Sequence, residues 1–149
     1  MSDSPADPKP QDPPPPRIVE MPDPAPITKP PDMSWRDHLI MLLTSGAEVE
    51  HALMVQYLYA AYSINGDQSD PERRALVEGW RSSILSVARE EMGHLLTVQN
   101  ILVLLGAPIS FDREMMPWDH EFYPFPFALE PLSEQTLQCF IYEIGRAHV

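Results

Sequence analysis

The sequence predicts an all-α fold in which antiparallel helices form a bundle. Two long stretches, residues 35–64 and 72–105, contain no proline and carry apolar residues at three- and four-residue spacing, the pattern of an amphipathic helix. A turn joins these stretches, and a long aromatic and proline-rich connection precedes a third helical pattern. No segment has a convincing strand pattern, so helices joined by one tight turn and one long crossover are expected.

The first helix is predicted to begin after the N-cap residue Ser34. Asp37, three positions later, is favourable at the positive end of the helix dipole. The helical spacing continues to about Ile64, which predicts a helix of about 30 residues. Its apolar stripe comprises Leu39, Leu43, Ala47, Leu53, Met54, Tyr57 and Ala61.

The second helix is predicted to follow a turn at residues 65–69. Asp70 supplies the N-cap and Pro71 the first helical position. Gly106 gives a C-terminal stop after Leu105. The apolar stripe comprises Val77, Trp80, Ile84, Val87, Ala88, Leu95, Val98, Ile101, Leu102 and Leu105.

A loop and the start of a third helix are expected next. Residues 109–132 contain six aromatic residues and four prolines, so we expect a loop that packs its rings on the helices. Ser133 is the predicted N-cap of a helix that starts at Glu134. The apolar side of this helix comprises Leu137, Phe140 and Ile141.

Residues 1–33 are predicted to be a disordered, proline-rich acidic tail. They hold twelve of the 18 prolines and six acidic residues, with too little apolar surface to offset the entropy of ordering. The run of prolines at 13–16 favours polyproline II, either as a ligand for an aromatic-lined groove or as a semi-rigid extension. The folded part is therefore expected at residues 34–142.

Charge and composition exclude several classes of function. The net charge of −12 opposes attraction to nucleic acid or to an anionic membrane surface. Cys139 is the single cysteine and forms no internal disulfide, and the N-terminus lacks a secretory signal. Because no apolar run reaches the length that spans a bilayer, a cytoplasmic protein is expected.

Three polar residues interrupt the apolar stripes. Glu50 lies mid-stripe on the first helix, while Glu91 and His94 lie in the stripe of the second. Their spacing of three places Glu91 and His94 on the same side of the helix, about one turn apart. Buried carboxylates are costly unless they are neutralised, and a metal ion would neutralise this set. The sequence therefore predicts a metal site of Glu50, Glu91 and His94.

Carboxylate and imidazole ligands favour iron or manganese over metals that prefer thiolates. A Glu on one helix beside Glu-x-x-His on the next is half of a dinuclear carboxylate site, which an equivalent second pair of helices completes. Glu48 and Glu90 are competing candidates, but they lie one step off the stripes, where solvation or pairing with arginine is expected. His51, next to Glu50, is a weaker candidate.

Several motifs resemble a known family. EHALMVQYLYAAYSI at 50–64, EEMGHL at 90–95, NIL at 100–102 and LGAP at 105–108 are similar to the ferritin-like domain of the iminophenyl-pyruvate dimer synthases. Those are enzymes of violacein-type and related bisindole pathways. The loop motifs YPFPF and PLS also resemble that family, and the likeness covers about residues 38–142.

The resemblance implies a ferritin-like bundle with Glu50, Glu91 and His94 as metal ligands. It also implies one activity of the family, the oxidative coupling of two imines derived from an aromatic amino acid. A ferritin-like site needs a further Glu on the third helix and a second Glu-x-x-His on a fourth. The third helix barely begins and no fourth follows, so we expect an incomplete bundle, a C-terminally truncated fragment.

The last seven residues have an unusual coding property. Back-translated as GAG ATC GGA AGA GCA CAC GTC, residues 143–149 reproduce a widely used sequencing-adapter sequence from the second base onward. We therefore expect these residues to be adapter read-through and the natural chain to continue beyond Tyr142. This expectation leaves Glu143 out of the predicted metal site.

The leading interpretation is a metal-dependent enzyme of secondary metabolism that acts on a small aromatic substrate. Glu50 and Glu91 would supply charge and bridging oxygens, and His94 a terminal nitrogen. One alternative is a metal-binding bundle without turnover. Another is a structural module in which the three residues only hydrogen-bond one another. The assembly state, including a homo-oligomer, is left open.

Overall fold

A computed structural model describes residues 28–66, 68–118 and 125–147. It contains three helices, α1 (Trp35–Ser63), α2 (Pro71–Leu104) and α3 (Glu134–Ala147), and no strand within those ranges. The all-α prediction and all three predicted helices are confirmed. Most of the predicted tail, and the first two residues of the YPFPF motif, lie outside the described residues.

The predicted N-caps form as expected from local sequence. The Ser34 hydroxyl accepts a hydrogen bond from the backbone N–H of Asp37 at 3.1 Å. The Asp70 carboxylate accepts one from the N–H of Glu72 at 3.0 Å, directly before Pro71 opens α2. Each cap satisfies a backbone donor that the first helical turn leaves without an intrahelical partner.

The end of α2 follows the predicted stop. Gly106 has a φ of +70°, a left-handed conformation that glycine adopts without steric penalty. The N–H of Ala107 then donates to the carbonyl of Leu102 at 2.9 Å, which satisfies one of the last helical acceptors. The chain therefore leaves the helix immediately and turns back over α2.

Helices α1 and α2 form an antiparallel hairpin that is joined at both ends by arginines. The Arg36 guanidinium, at the start of α1, donates to the carbonyl of Leu105 at the end of α2. At the opposite end, Arg81 of α2 donates to the carbonyl of Ile64 at 2.6 Å. Neither helix has a basic residue in its own last turn. Each C-terminus thus receives a cation from the neighbouring helix, where the helix dipole favours one.

Part of the connection between α2 and α3 packs its rings against the hairpin, as predicted, whereas Phe111 is 59% exposed. Phe127 is completely buried and stacks on Trp118 at a centroid distance of 5.4 Å. The backbones of these two residues also exchange hydrogen bonds of 2.8 and 2.9 Å. Phe140 of α3 meets the Tyr57 ring edge-on at 4.8 Å. Loop, α1 and α3 therefore share one core.

One side of α2 carries apolar residues that nothing in the described part of the chain covers. We define the open flank as Leu76, Trp80, His94 and Ile101, which lie along one side of α2. Trp80 and Ile101, predicted as stripe residues, are 52% and 38% exposed. The burial expected for them, and for Leu39 of α1 at 43% exposed, is wrong for these residues. The reason is that a stripe is buried only where a second element packs over it.

No helix in the described ranges combines the length and the apolar character needed to cross a membrane.

Candidate metal centre

The three residues predicted to bind metal converge between α1 and α2. One donor atom from each of Glu50, Glu91 and His94 lies within 4.8 Å of the others. Nδ1 of His94 is 2.9 Å from Oε2 of Glu91 and 3.4 Å from Oε2 of Glu50. Because Glu91 and His94 are three apart on one helix and Glu50 faces them from the other, the hairpin alone assembles the cluster.

Exposure differs sharply across the cluster. The side chains of Glu91 and Glu50 are 12% and 25% exposed, whereas that of His94 is 57% exposed. The cluster lines a cleft of about 400 Å³ with Leu53 and Val98 among its apolar walls. The carboxylates therefore point inward, and the imidazole lies on the open flank at the mouth of the cleft.

Burial and neighbouring charges shift the pKa values of Glu50 and His94. Loss of solvent, followed by the proximity of Glu91, raises the pKa of Glu50 to about 7. The hydrogen bond to Glu91 raises the pKa of His94 above its ordinary value. Glu50 therefore holds a proton more readily than an exposed glutamate does.

The residues present fit a cation with oxygen and nitrogen ligands. Oε2 of Glu50 is buried and has no hydrogen-bond partner among the described residues. Carboxylate oxygen and imidazole nitrogen together suit iron or manganese. A cation here would offset the negative charge of the carboxylates and satisfy the buried oxygen of Glu50.

The competing candidates remain outside the cluster. Glu90, one residue before Glu91, is exposed on α2. His51 is partly buried, but it does not belong to the one group of potential metal ligands found in the described ranges. The same is true of Glu48. One position along a helix is a rotation of about 100°, which separates His51 from Glu50 and Glu90 from Glu91. Glu48 is two positions from Glu50, a rotation of about 200°.

A further carboxylate approaches the cleft from α3. Glu143 is only 4% exposed and lines the cleft. It accepts hydrogen bonds from the Tyr57 hydroxyl at 2.8 Å and from Nε2 of Gln56 at 3.4 Å. Burial raises the pKa of Glu143 to about 7. The polar role of Gln56 does not follow from the apolar pattern of α1, which places Tyr57 in the core.

The sequence does carry a signal for the position of Glu143. It lies three residues after Phe140, on the apolar side of α3, so helical spacing places it toward the core. The adapter prediction for residues 143–149 is the reason that the predicted site excludes it. That prediction concerns the origin of the codons, and it stays a prediction.

Comparison with known proteins gives one family and two relatives. A family model described as ferritin-like matches residues 43–148. The chain is 34% identical over 137 residues to the dichlorochromopyrrolate synthase of Lentzea aerocolonigenes. It is 33% identical over 126 residues to the 2-imino-3-(indol-3-yl)propanoate dimerase of Chromobacterium violaceum. No solved structure gives a significant match.

The extent of these matches is asymmetric. They cover 73% and 66% of this chain but only 13% and 12% of the two relatives. The family model spans Glu50, Glu91 and His94 as well as α3. The resemblance to the imine dimer synthases is confirmed at the level of sequence. The chain belongs to the ferritin-like family.

Proposed function

We propose that this chain is the ferritin-like part of a metal-dependent enzyme of secondary metabolism, which couples imines derived from aromatic amino acids by oxidation. The observation that carries the proposal is the convergence of Glu50, Glu91 and His94 at one end of an apolar cleft. The names of the two relatives, a chromopyrrolate-type synthase and an indolyl imine dimerase, supply the substrate class.

Glu50, Glu91 and His94 would hold the metal. Nδ1 of His94 faces both carboxylates, so it is the ring nitrogen positioned to share a cation with them. When bound, iron or manganese would supply the activation of dioxygen or peroxide that an oxidative coupling requires. We propose a dinuclear centre in the full-length protein, since the hairpin provides one half of such a site.

The surrounding residues have separate tasks. The apolar walls of the cleft exclude water and would seat an aromatic ring, and a volume of about 400 Å³ is in the range of small-molecule sites. Tyr57 and Gln56 hold an α3 carboxylate in a fixed orientation through their hydrogen bonds. The proposed partner is a small aromatic substrate. We propose no binding to nucleic acid or membranes, because the net charge of −12 opposes it. We place the protein in the cytoplasm and propose a homo-oligomer as one assembly.

The metal assignment is tested by metal content. Purified chain, loaded with Fe(II) or Mn(II) and desalted, is analysed by elemental mass spectrometry beside Glu91→Ala and His94→Ala. We expect metal retention to fall at least tenfold in both variants, because each removes one of only three ligands on the hairpin. Glu90→Ala, the exposed neighbour, is the matched control and should retain metal. Equal retention in all three variants would end the assignment.

The reaction is tested separately on the full-length gene product. Oxygen consumption is followed with the imine formed from an aromatic amino acid, with and without bound metal. Consumption coupled to dimer formation supports the enzyme. Metal retention without substrate-dependent oxygen uptake instead indicates a metal-binding bundle without turnover.

The adapter origin of residues 143–149 is tested on the nucleotide read. We expect the codons to end in adapter sequence after the codon of Tyr142. A genomic reading frame with these codons in native flanking sequence would contradict it.

A further inference from the structure

A second, smaller cavity lies against the contact between α1 and α3. Its volume is about 160 Å³, and Gln56 contributes to its wall. The same side chain donates through Nε2 to Glu143, which lines the metal cleft. Gln56 therefore lies in the wall of the smaller cavity and contacts one residue of the metal cleft through its Nε2.

The carbonyl end of this amide has no partner. Gln56 is 6% exposed, and its Oε1 is buried without a hydrogen-bond donor among the described residues. Leaving such an acceptor unsatisfied is unfavourable, so a buried amide oxygen in the wall of a cavity favours a donor in that cavity.

The charge around the cavity is negative. The Glu130 carboxylate lines it, and no lysine or arginine is among the described residues of its wall. The thiol of Cys139, also in the wall, is affected by the same negative charge. Burial, and after it the charges of Glu143 and Glu130, raise the pKa of its thiol. Neutral or positive donors are thus favoured over anions.

The rest of the wall is mostly apolar, with Gln135 as an exposed amide. Phe125, Pro126 and Phe140 offer ring surfaces. The Thr136 hydroxyl donates within its own turn to the carbonyls of Ser133 and Pro131, at 3.1 and 3.3 Å, so it is not free to serve a ligand as donor. An occupant needs donors at one end and a short apolar body.

We propose that this cavity binds a small primary alkylammonium compound, with the ammonium donating to Oε1 of Gln56, the Glu130 carboxylate as counter-charge, and the alkyl group against Phe125 and Phe140. Gln56 and Glu130 both precede residue 143, so they lie outside the predicted adapter segment. The site does not require the metal, and its test is independent of the proposed enzyme activity.

The test is an NMR titration of the ¹⁵N-labelled chain with ethylammonium chloride at constant ionic strength. The side-chain amide signals of Gln56 are assigned by their absence in Gln56→Leu. We expect these signals and the backbone signal of Thr136 to shift saturably. Glu130→Gln should weaken the binding at least threefold, since it removes the counter-charge. Glu130 is exposed, so this variant should fold.

Two controls decide the outcome. Glu134→Gln removes an equally exposed carboxylate that is not in the cavity wall, and it should bind ethylammonium as the parent chain does. Ethanol, which has a similar size without the positive charge, should give shifts at least threefold weaker. Absence of saturable shifts, equal binding of ethanol, or equal weakening by Glu134→Gln would each overturn the proposal.

Discussion

The two sides of the α1–α2 hairpin differ in what covers them. On the packed side, Phe127 and Tyr57 are 0% and 2% exposed beneath the loop and α3. On the open flank, Trp80 is 52% exposed although it belongs to the same apolar stripe as buried residues of α2. The difference shows that the apolar pattern of a helix records where it can pack, while burial depends on which elements are present.

The cluster of Glu50, Glu91 and His94 spans this boundary. Its carboxylates lie in the apolar cleft, where loss of solvent raises the pKa of Glu50, and its imidazole lies on the exposed edge. The two carboxylates are thus held on the inner side, and His94 is exposed at the mouth of the cleft.

The largest expected effect is a truncation on the packed side. Phe127→Ala should lower the free energy of unfolding by about 3–5 kcal/mol, because it removes a fully buried ring from the core shared by loop, α1 and α3. Trp80→Ala, a comparable truncation on the open flank, should cost less than about 1 kcal/mol. Urea unfolding followed by circular dichroism measures both. Similar losses in the two variants would mean that the flanks are equally packed.

A smaller effect is expected from the pH dependence of stability. The folded state raises the pKa of Glu50 from 4.5 to about 7, so between these values it binds protons that the unfolded chain releases. Stability contributed by the protonated group is present at pH 4.5 and is lost as the pH rises through 7. Glu50→Gln should reduce the loss between pH 5 and pH 8 by about 1–2 kcal/mol, allowing for solvent screening at a partly exposed group.

The measurement is chemical denaturation at both pH values with a chelator present. Glu90→Gln changes an exposed carboxylate next to Glu91, and it should leave the dependence of stability on pH as in the parent chain. If the parent and Glu50→Gln lose the same stability between pH 5 and pH 8, the raised pKa is wrong.

The smallest effect is expected at the N-cap of α2, which belongs to neither the packed side nor the open flank. Asp70→Ala removes the cap that accepts from the N–H of Glu72 and should cost about 1 kcal/mol. The loss should appear in thermal unfolding without a change in metal retention, because the cap lies about six turns from Glu91. A parallel loss of metal would show that the turn and the cluster are coupled.

Much of the fold was predictable because its signals are local. Ser34 and Asp70 mark helix starts through a hydrogen bond to a residue two or three positions on, and Gly106 marks an end through its own conformation. The Glu50, Glu91 and His94 cluster was predictable because helical spacing fixes which residues share a face. These inferences need no knowledge of distant contacts.

The remainder depends on contacts between residues far apart in sequence. The backbone hydrogen bonds between Trp118 and Phe127 form only when the loop folds back on α1. The hydrogen bond from Tyr57 to Glu143 forms only when α3 does so. Periodicity assigns Tyr57 to the core, which is confirmed, but it gives no acceptor for the hydroxyl. The exposure of Trp80 is unpredictable for the same reason, since its cover must come from another element.

The two arginines at the ends of the hairpin have a consequence for the register of its helices. Arg36 and Arg81 each donate to a carbonyl at the C-terminal end of the neighbouring helix. Sliding α1 along α2 would therefore break both contacts at once. A slip of one helical turn is about 5.4 Å. That exceeds the roughly 4 Å across which two oxygens can share one ion, twice an ordinary metal–oxygen distance. The two arginine contacts lie more than six helical turns apart from each other and several turns from the cluster. Together they fix the register of α1 and α2 in which Glu50 faces Glu91.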